Sequence, residues 1–375
     1  MSIWKSETFR RFLLVAGTLT LAWGLVEFPA LINIFDYEAL EYGGVWGNLR
    51  FIRVADPELT HLEPPHAHYS GSGFGGDAET VYRIPASERT LYRWDLRYDR
   101  IGFRNDADLS SADTIVVGDS MVEGMTVSNS DVVTSVLQRL EGKTVANLAQ
   151  YGYGPQQEMI VLKRYGLPLR PHTVVWVFSE SSDLADFIGY RRMMLHPPNS
   201  WNFFLQRSFS RLAFRQVTRF FAPPKPLGIK RSGEIQEPGG KTTKVYFTNP
   251  AHPLTGEELG AVEGTAGILA EARRLSSAQG ASFLVVFAPD KFRVYHDLCV
   301  YPQESECGRW VVSDLPERLR KAVASVSPEI GYLDLTAALT AAAKEGARPY
   351  YSDDVHWSAQ GHRIAAEAIH AYHNP

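Results

Sequence analysis

From residue 113 onward, short apolar runs rich in β-branched residues alternate with longer stretches of helical periodicity. Such a run suits a strand that is buried on both faces, and the helix that follows returns the chain to the starting edge of the sheet. Because connections of this kind are almost always right-handed, the alternation predicts a parallel sheet with helices on both faces and leaves few topologies open.

Five strands and five helices are predicted in this part of the chain. The strands are expected at 114–117, 144–148, 173–178, 283–287 and 332–335, and the helices at 131–140, 156–165, 257–277, 315–326 and 359–372. This set fits a three-layer α/β/α, flavodoxin-like fold with the strand order 2-1-3-4-5. The switch point of that order lies beside the strand that ends at Gly118, where open α/β sheets place their ligand sites.

The first predicted strand runs directly into Gly118, Asp119 and Ser120. If Ser120 begins the next helix, its hydroxyl and its backbone N–H face the same cavity, and the helix dipole favours negative charge there. Considered alone, Ser120 is better explained as a helix cap, because serine is a preferred capping residue.

Near the C-terminus, His356 follows Asp353 by three residues and Asp354 by two, just before an apolar-periodic helix. A serine, a histidine and an acid are the parts of a hydroxyl nucleophile with an oriented base. An Asp on this loop can accept the proton of the ring nitrogen that faces away from Ser120. Asp353 is the expected orienting residue and Asp354 is the alternative. When His356 is considered alone, a solvated acidic loop with a capping or surface histidine explains it as well as a catalytic role does.

Taken together, Gly118-Asp119-Ser120 and Asp353-x-x-His356 resemble the SGNH/GDSL hydrolase superfamily. Within it, the chain is most similar to membrane-anchored bacterial proteins related to alginate O-acetyltransferases. The resemblance implies an SGNH-type ester hydrolase or O-acetyltransferase, with Ser120 as nucleophile and His356 as general base.

The resemblance also implies an oxyanion site. The second block of the family is matched by residues 147–154, and by analogy Gly152 offers its N–H to an oxyanion. In the third block, Ser182 stands where the family usually has an asparagine. Ser182 is the expected further donor, with less reach than a carboxamide, and losing one such donor lowers turnover by roughly 10²–10³.

The expected substrate is an acyl ester, most plausibly an O-acetyl group, on a cell-surface polysaccharide or other glycan, with a membrane-bound acyl-transfer protein as a further partner. The alternative is a non-catalytic glycan-binding or assembly subunit that retains the fold, which Ser182 motivates. A metal-dependent phosphoesterase built on Asp353, Asp354 and His356 would need further ligands. We expect no cofactor, because no GxGxxG is present, and no metal, because zinc-ligand spacing is absent. A net charge of -4 does not suggest nucleic acid.

The N-terminus predicts a membrane anchor over residues 1–35. Lys5, Arg10 and Arg11 precede an uncharged stretch over 12–26, and apolar character resumes after Glu27. A signal peptide is the alternative, but no small-residue cleavage site is evident. The one-sided basic flank predicts a single-pass protein of the inner (cytoplasmic) membrane whose catalytic domain is periplasmic or otherwise extracytoplasmic.

The remaining sequence is assigned to an approach segment at 36–110 and an SGNH hydrolase-like domain at 111–375, with an insertion at about 188–255. In the approach segment, 63–76 is rich in turn residues and predicts an irregular loop, whereas 91–104 predicts an edge strand or hairpin. After the insertion, Lys291 and Arg293 are candidates to line the cleft, although ordinary loop cations are at least as plausible.

The insertion carries arginines at every fourth position, which form a stripe on a helix that is otherwise rich in aromatic residues: Arg207, Arg211, Arg215 and Arg219. Packing of this helix on the core, with a solvated Arg face, is the favoured interpretation. An anionic membrane surface and an anionic glycan are the alternatives. Residues 233–240 are expected to form a loop. Cys299 and Cys307 either close a small disulfide loop or remain free thiols.

Overall fold

The structure is a computed structural model that describes residues 7–32, 34–35, 37, 53–82, 84–194, 201–221, 228–236, 240 and 242–374. Its helices are α1 (Glu7–Leu31), α2 (Asp77–Tyr82), α3 (Ser120–Glu123), α4 (Val133–Glu141), α5 (Pro155–Val161), α6 (Asp183–Met194), α7 (Trp201–Arg207), α8 (Phe209–Phe221), α9 (Gly256–Ala278), α10 (Lys291–Tyr295), α11 (Leu315–Val326), α12 (Thr336–Lys344) and α13 (Ala359–His373). Its strands are β1 (Val54–Asp56), β2 (Thr60–Leu62), β3 (His68–Phe74), β4 (Leu91–Arg97), β5 (Thr114–Val117), β6 (Val145–Asn147), β7 (Thr173–Ser179), β8 (Ser232–Gln236), β9 (Thr242–Tyr246), β10 (Ser282–Ala288), β11 (Cys299–Val300) and β12 (Gly331–Asp334).

A five-stranded parallel sheet with the order β12-β10-β7-β5-β6 forms the centre of the fold. In chain order these strands are β5, β6, β7, β10 and β12, so the predicted order 2-1-3-4-5 is confirmed. Strand β5 has the predicted bounds, and the other four differ from prediction by no more than one residue at either end. All four β5 residues are buried, as the β-branched run predicted.

Helices cover both faces of this sheet, so the three-layer architecture is confirmed. Because side chains alternate along a strand, Ile115 points to one face, where it packs with residues such as Leu269 of α9 and Leu319 of α11. Val116 points to the other face and joins residues such as Leu137 of α4 and Ile369 of α13. The two cores fix the sheet, and the carboxyl ends of its strands form one edge.

Before the sheet, β3 pairs antiparallel with β4 in a hairpin-like ribbon. The hairpin expected near residue 91 is confirmed, whereas the irregular loop expected over 63–76 is wrong. The glycines that suggested a loop serve close packing instead: a Cβ on Gly71 would lie 3.0 Å from the indole ring of Trp94. Alternate residues of β4 are buried, which gives the polar β3 a partner strand with an apolar face.

The region between α6 and α9 contains α7, α8 and the pair β8–β9, which β11 extends to three strands. The loop expected over 233–240 is therefore wrong for its first part, because β8 runs to Gln236. Cys299 lies on β11 opposite Ile235, and both Cys299 and Cys307 are free thiols. Burial raises the pKa of Cys299 to about 12 and that of Cys307 to about 11.

Helix α1 is long and apolar enough to cross a membrane, by length and composition. Its side chains are mostly exposed, which disfavours a buried core helix. Lys5, part of the basic flank, lies outside the described residues, whereas Arg10 and Arg11 lie in the first turns of the helix. Within the described residues, α1 touches the rest of the chain mainly through α7 and α8.

Candidate active site

Ser120 lies at the first turn of α3, immediately after β5. The preceding Asp119 is the N-cap of this helix, and its carboxylate accepts a hydrogen bond from the N–H of Met121 at 2.9 Å. Gly118 makes the sharp exit from the strand, since a Cβ there would lie 2.9 Å from Val122 of the same helix. The sequence therefore places the Ser120 hydroxyl at the carboxyl edge of the sheet, where the prediction expected it.

The imidazole of His356 reaches Ser120 from the C-terminal part of the chain. Its Nε2 lies 2.9 Å from the Ser120 Oγ, and both residues are buried. Its Nδ1 lies 2.6 Å from Oδ1 of Asp354, which also accepts the backbone N–H of His356 at 2.8 Å. Ser120, His356 and Asp354 thus form a continuous hydrogen-bonded series of a hydroxyl, an imidazole and a carboxylate.

The expected contact between Asp353 and His356 is wrong, and the alternative, Asp354, makes it. The Asp353 carboxylate accepts hydrogen bonds from the hydroxyl of Tyr92 at 2.7 Å and from the N–H groups of Thr90 at 2.9 Å and Gly76 at 3.2 Å. The reason is that the two neighbouring carboxylates have separate sets of hydrogen-bond donors. One acid faces the histidine, and the other faces the β3–β4 region.

A third acid, Asp77, lies beside the same histidine and was not identified from the sequence. Its N–H donates to Oδ2 of Asp354 at 3.0 Å, and its own Oδ2 is 3.7 Å from Nδ1 of His356. The chain can come this close only because Gly76 lacks a side chain, since a Cβ there would lie 2.5 Å from Asp354 Oδ2. A Gly-Gly-Asp sequence was the available signal, and it carries no information about a contact 277 residues away.

These carboxylates control the charge of the base. Burial lowers the pKa of His356, but Asp354, Asp77 and Asp119 outweigh it and raise that pKa from 6.5 to about 9. The imidazolium is therefore the stable form at neutral pH, so His356 must lose a proton before it can act as a base. Burial raises the pKa of Asp119, which opposes its ionisation.

Lys291 does not line the cleft but holds the acidic loop in place. Its buried Nζ donates to the carbonyls of Ser352 at 2.8 Å and Asp354 at 3.1 Å. Burial lowers its pKa to about 8. Arg293 pairs with Glu180, with its Nε 2.6 Å from the carboxylate, and lies on the wall of a cavity of about 230 Å³.

That cavity adjoins the catalytic edge. It is lined in part by Ser182 and by residues that follow β7 and β10. One of its lining residues, Ser182, bonds through its hydroxyl to Asp119, the residue before Ser120.

The expected oxyanion donors have different outcomes. In the described part of the chain, the backbone N–H groups of Ser120 and Gly152 donate to no other protein group. Gly152 has a φ of 70°, and a Cβ on it would meet no atom within 4 Å, so this turn borders open space. The Ser182 hydroxyl has one hydrogen, which it directs to Asp119, so its expected role as an oxyanion donor is not supported. Ser182 fixes the Asp119 carboxylate instead.

The fold and the geometry of this site resemble those of the SGNH/GDSL hydrolase superfamily, whose members are generally acyl esterases or acyltransferases. Within it, residues 247–374 match the family model of the SGNH hydrolase-like domain of the acetyltransferase AlgX. The matched stretch contains Asp354 and His356, whereas Ser120 lies before it. A comparison with curated protein sequences finds no significant match.

A comparison with solved structures finds similarity to proteins that include three described as lipases or esterases. A GDSL-like lipase from Bacteroides thetaiotaomicron has 13% identity and a TM-score of 0.33, over 69% of this chain and 86% of that one. A lipase/acylhydrolase from Enterococcus faecalis has 13% identity and a TM-score of 0.36, over 69% and 93%. The acetyl xylan esterase AlAXEase has 12% identity and a TM-score of 0.36, over 69% and 98%.

Asp77, Asp354 and His356 come close enough together to share a cation. However, the histidine atom that faces the two acids is Nδ1, which already lies at hydrogen-bonding distance from Asp354. A histidine that must donate at Nδ1 cannot also ligate a metal through that nitrogen. The cluster fits an oriented base better than it fits a metal site, and the expectation of a metal-free enzyme stays a prediction.

Proposed function

We propose that this protein is a membrane-anchored, extracytoplasmic serine enzyme that cleaves or transfers acyl groups, most plausibly O-acetyl groups, of a cell-surface polysaccharide. The observation that supports the proposal is the hydrogen-bonded series from Ser120 through His356 to Asp354 at the carboxyl edge of the sheet. This order of groups is what a hydroxyl nucleophile requires for activation.

In the first half of the reaction, the Ser120 Oγ attacks the ester carbonyl and gives its proton to Nε2 of neutral His356. The Asp354 carboxylate stabilises the imidazolium that results. Negative charge develops on the carbonyl oxygen, and the N–H groups of Ser120 and Gly152, which donate to no other described residue, are the proposed donors to it. The intermediate then collapses, and the departing sugar oxygen takes the proton from His356. The acyl group is left on Ser120.

In the second half, an acceptor hydroxyl attacks the carbonyl of the acyl-enzyme while His356 removes its proton. The bond between the acyl group and the Ser120 Oγ then breaks, and His356 returns the proton to Ser120. Water as acceptor makes the protein an esterase, and a sugar hydroxyl makes it an O-acyltransferase. Both reactions use the same residues. We propose that the cavity lined by Ser182 and Arg293 holds either a sugar acceptor or a leaving group, because Ser182 bonds to Asp119, the residue before the nucleophile.

The test is hydrolysis of p-nitrophenyl acetate by the full chain in detergent, compared with Ser120→Ala. We expect turnover that the variant lacks, and a fluorophosphonate probe that labels the wild type alone. Asp353→Asn serves as a matched acid control, because Asp353 does not contact the histidine. If neither turnover nor labelling depends on Ser120, the serine mechanism is wrong.

The non-catalytic glycan-binding subunit remains the second candidate, and the observation behind it is Ser182 in the position of the family asparagine. It predicts that folded, full-length protein binds an acetylated polysaccharide but is not labelled at Ser120. Retention of the complete Ser120–His356–Asp354 series argues for the enzyme, because a binding subunit has no need for an oriented base.

A further inference from the structure

Helix α8 presents apolar side chains that no other described residue covers. None of its residues is fully buried, and Phe214, Phe220 and Phe221 are 70%, 81% and 79% exposed. The favoured expectation, that this helix packs on the core, is therefore wrong. Contiguous exposed aromatic residues of this kind mark a surface that contacts something else.

The composition of α8 is that of an interfacial helix. Arg211, Arg215 and Arg219 are four residues apart, so they form one stripe along the helix. The exposed Phe220 and Val217 lie on other sides of the same helix. A cationic stripe opposite an aromatic face suits the boundary between lipid headgroups and acyl chains.

The start of α8 is fixed to the candidate membrane helix. The buried carboxylate of Glu27, on α1, accepts hydrogen bonds from the N–H groups of Phe209 at 3.0 Å and Ser210 at 2.7 Å. The indole of Trp23 donates to the Ser210 hydroxyl at 2.8 Å. A carboxylate at a helix N-terminus satisfies unpaired N–H groups and complements the helix dipole. The one acid inside the apolar sequence of α1 thus has a structural partner.

The depth of this contact along α1 agrees with a position at the membrane surface. Glu27 precedes the end of α1, Leu31, by four residues, which is about 6 Å at the rise of an α-helix. Interfacial helices bury their apolar face about 5–10 Å into the boundary between headgroups and acyl chains. If α1 spans the bilayer, α8 starts at that boundary.

We propose that α8 lies on the surface of the bilayer that α1 crosses, with its phenylalanines among the acyl chains and its arginines at anionic lipid phosphates. This inference rests on the proposed membrane insertion of α1 and does not depend on the chemistry at Ser120. The helix would hold the enzyme at a set height and orientation above the membrane, in addition to the tether that α1 alone provides.

The experiment uses the full chain in nanodiscs, with an environment-sensitive NBD label at Phe220→Cys. The native Cys299 and Cys307 react slowly, because burial raises the pKa of both thiols, and the protein without added cysteine measures their residual labelling. Ala278→Cys, at an exposed position at the end of α9, is the matched control for a water-facing label.

We expect lipids that carry a nitroxide near the headgroup to quench the Phe220 label roughly twofold or more, and to leave the Ala278 label unchanged. Quenching should be stronger with anionic than with zwitterionic lipid. A label at Leu19→Cys, at the middle of α1, reports insertion of the anchor separately and is read with lipids that carry the nitroxide deep in the acyl chain.

If the Leu19 label is quenched and the Phe220 label matches Ala278, the anchor is inserted but the proposal for α8 is wrong. The apolar face then covers a second copy of the chain or a protein partner, which chemical crosslinking from position 220 would identify. If neither label is quenched, α1 does not span the bilayer and the inference fails with its premise.

Discussion

Replacement of Asp354 by asparagine should change both the size and the pH dependence of turnover. The rise in the pKa of His356 from 6.5 to about 9 corresponds to roughly 3 kcal/mol of preference for the imidazolium. Asp354 is the nearest acid, at 2.6 Å, and therefore supplies most of it. Attack by Ser120 creates the imidazolium that the Asp354 carboxylate stabilises. Loss of that carboxylate should therefore lower the high-pH plateau of kcat/KM by roughly 10²–10³.

The pH at which this loss is measured matters. With a pKa of about 9, about one His356 in a hundred is neutral at pH 7 in the wild type. In Asp354→Asn the pKa falls toward its ordinary value, so most of the imidazole is neutral at pH 7. The deficit should therefore shrink to roughly tenfold or less at neutral pH and widen to its full size above pH 9.

The assay is p-nitrophenyl acetate hydrolysis from pH 6 to 10, with Ser120→Ala as the blank, together with an NMR titration of the His356 ring in the same proteins. Asp353→Asn should leave the titration of His356 close to that of the wild type, because Asp353 bonds to Tyr92 rather than to the ring. A pH profile of Asp354→Asn that keeps the wild-type shape, or an equal effect of Asp353→Asn on the His356 titration, would refute this account.

Three further outcomes are expected. Asp77→Asn removes a second carboxylate near Nδ1 of His356, so the midpoint of the rise of kcat/KM with pH should move to lower pH. The loss in the kcat/KM plateau should be smaller than that of Asp354→Asn. An unchanged midpoint of the pH profile contradicts this prediction. Gly76→Ala places a Cβ 2.5 Å from the Asp354 carboxylate, so it should lower the free energy of unfolding by about 1–3 kcal/mol and reduce turnover. The control is Gly260→Ala, whose Cβ would have no atom within 4 Å and which should lower neither quantity. Denaturant unfolding and turnover assays measure both variants. Burial and Asp119 raise the pKa of Asp186 to about 7. Ionisation of Asp186 therefore lowers the free energy of unfolding increasingly from about pH 4 to 7. Asp186→Asn should raise Tm at pH 8 but not at pH 4, and an equal rise in Tm at both pH values contradicts this reasoning.

The central sheet was predictable because each of its strands is specified locally. The apolar runs of β5 and β7 are bounded by turn residues, and their burial follows from composition alone. Ser120 could be placed at the edge of the sheet because the position of a residue at the carboxyl end of a parallel strand is set by topology. Its pairing with His356 was predicted from the resemblance to the SGNH/GDSL superfamily.

What the sequence could not provide depends on contacts between distant segments. The choice between Asp353 and Asp354 is made by Tyr92 and Thr90, which offer Asp353 an alternative set of donors. Asp77 enters the site only because Gly76 permits a close approach. β3 is a strand because β4 pairs with it, and its own residues favour turns. These outcomes are tertiary, and local propensity carries no information about them.

The acidic loop at 353–354 bonds to backbone and side-chain groups of the chain between Gly76 and Tyr92, which lies more than 260 residues earlier. Residues 76–92 and the acidic loop must therefore both be present and folded together before His356 is oriented. During synthesis, which proceeds from the N-terminus, the nucleophile Ser120 is made long before its base. The hydrogen-bonded series of Ser120, His356 and Asp354 is consequently completed only after the chain has been made through residue 356.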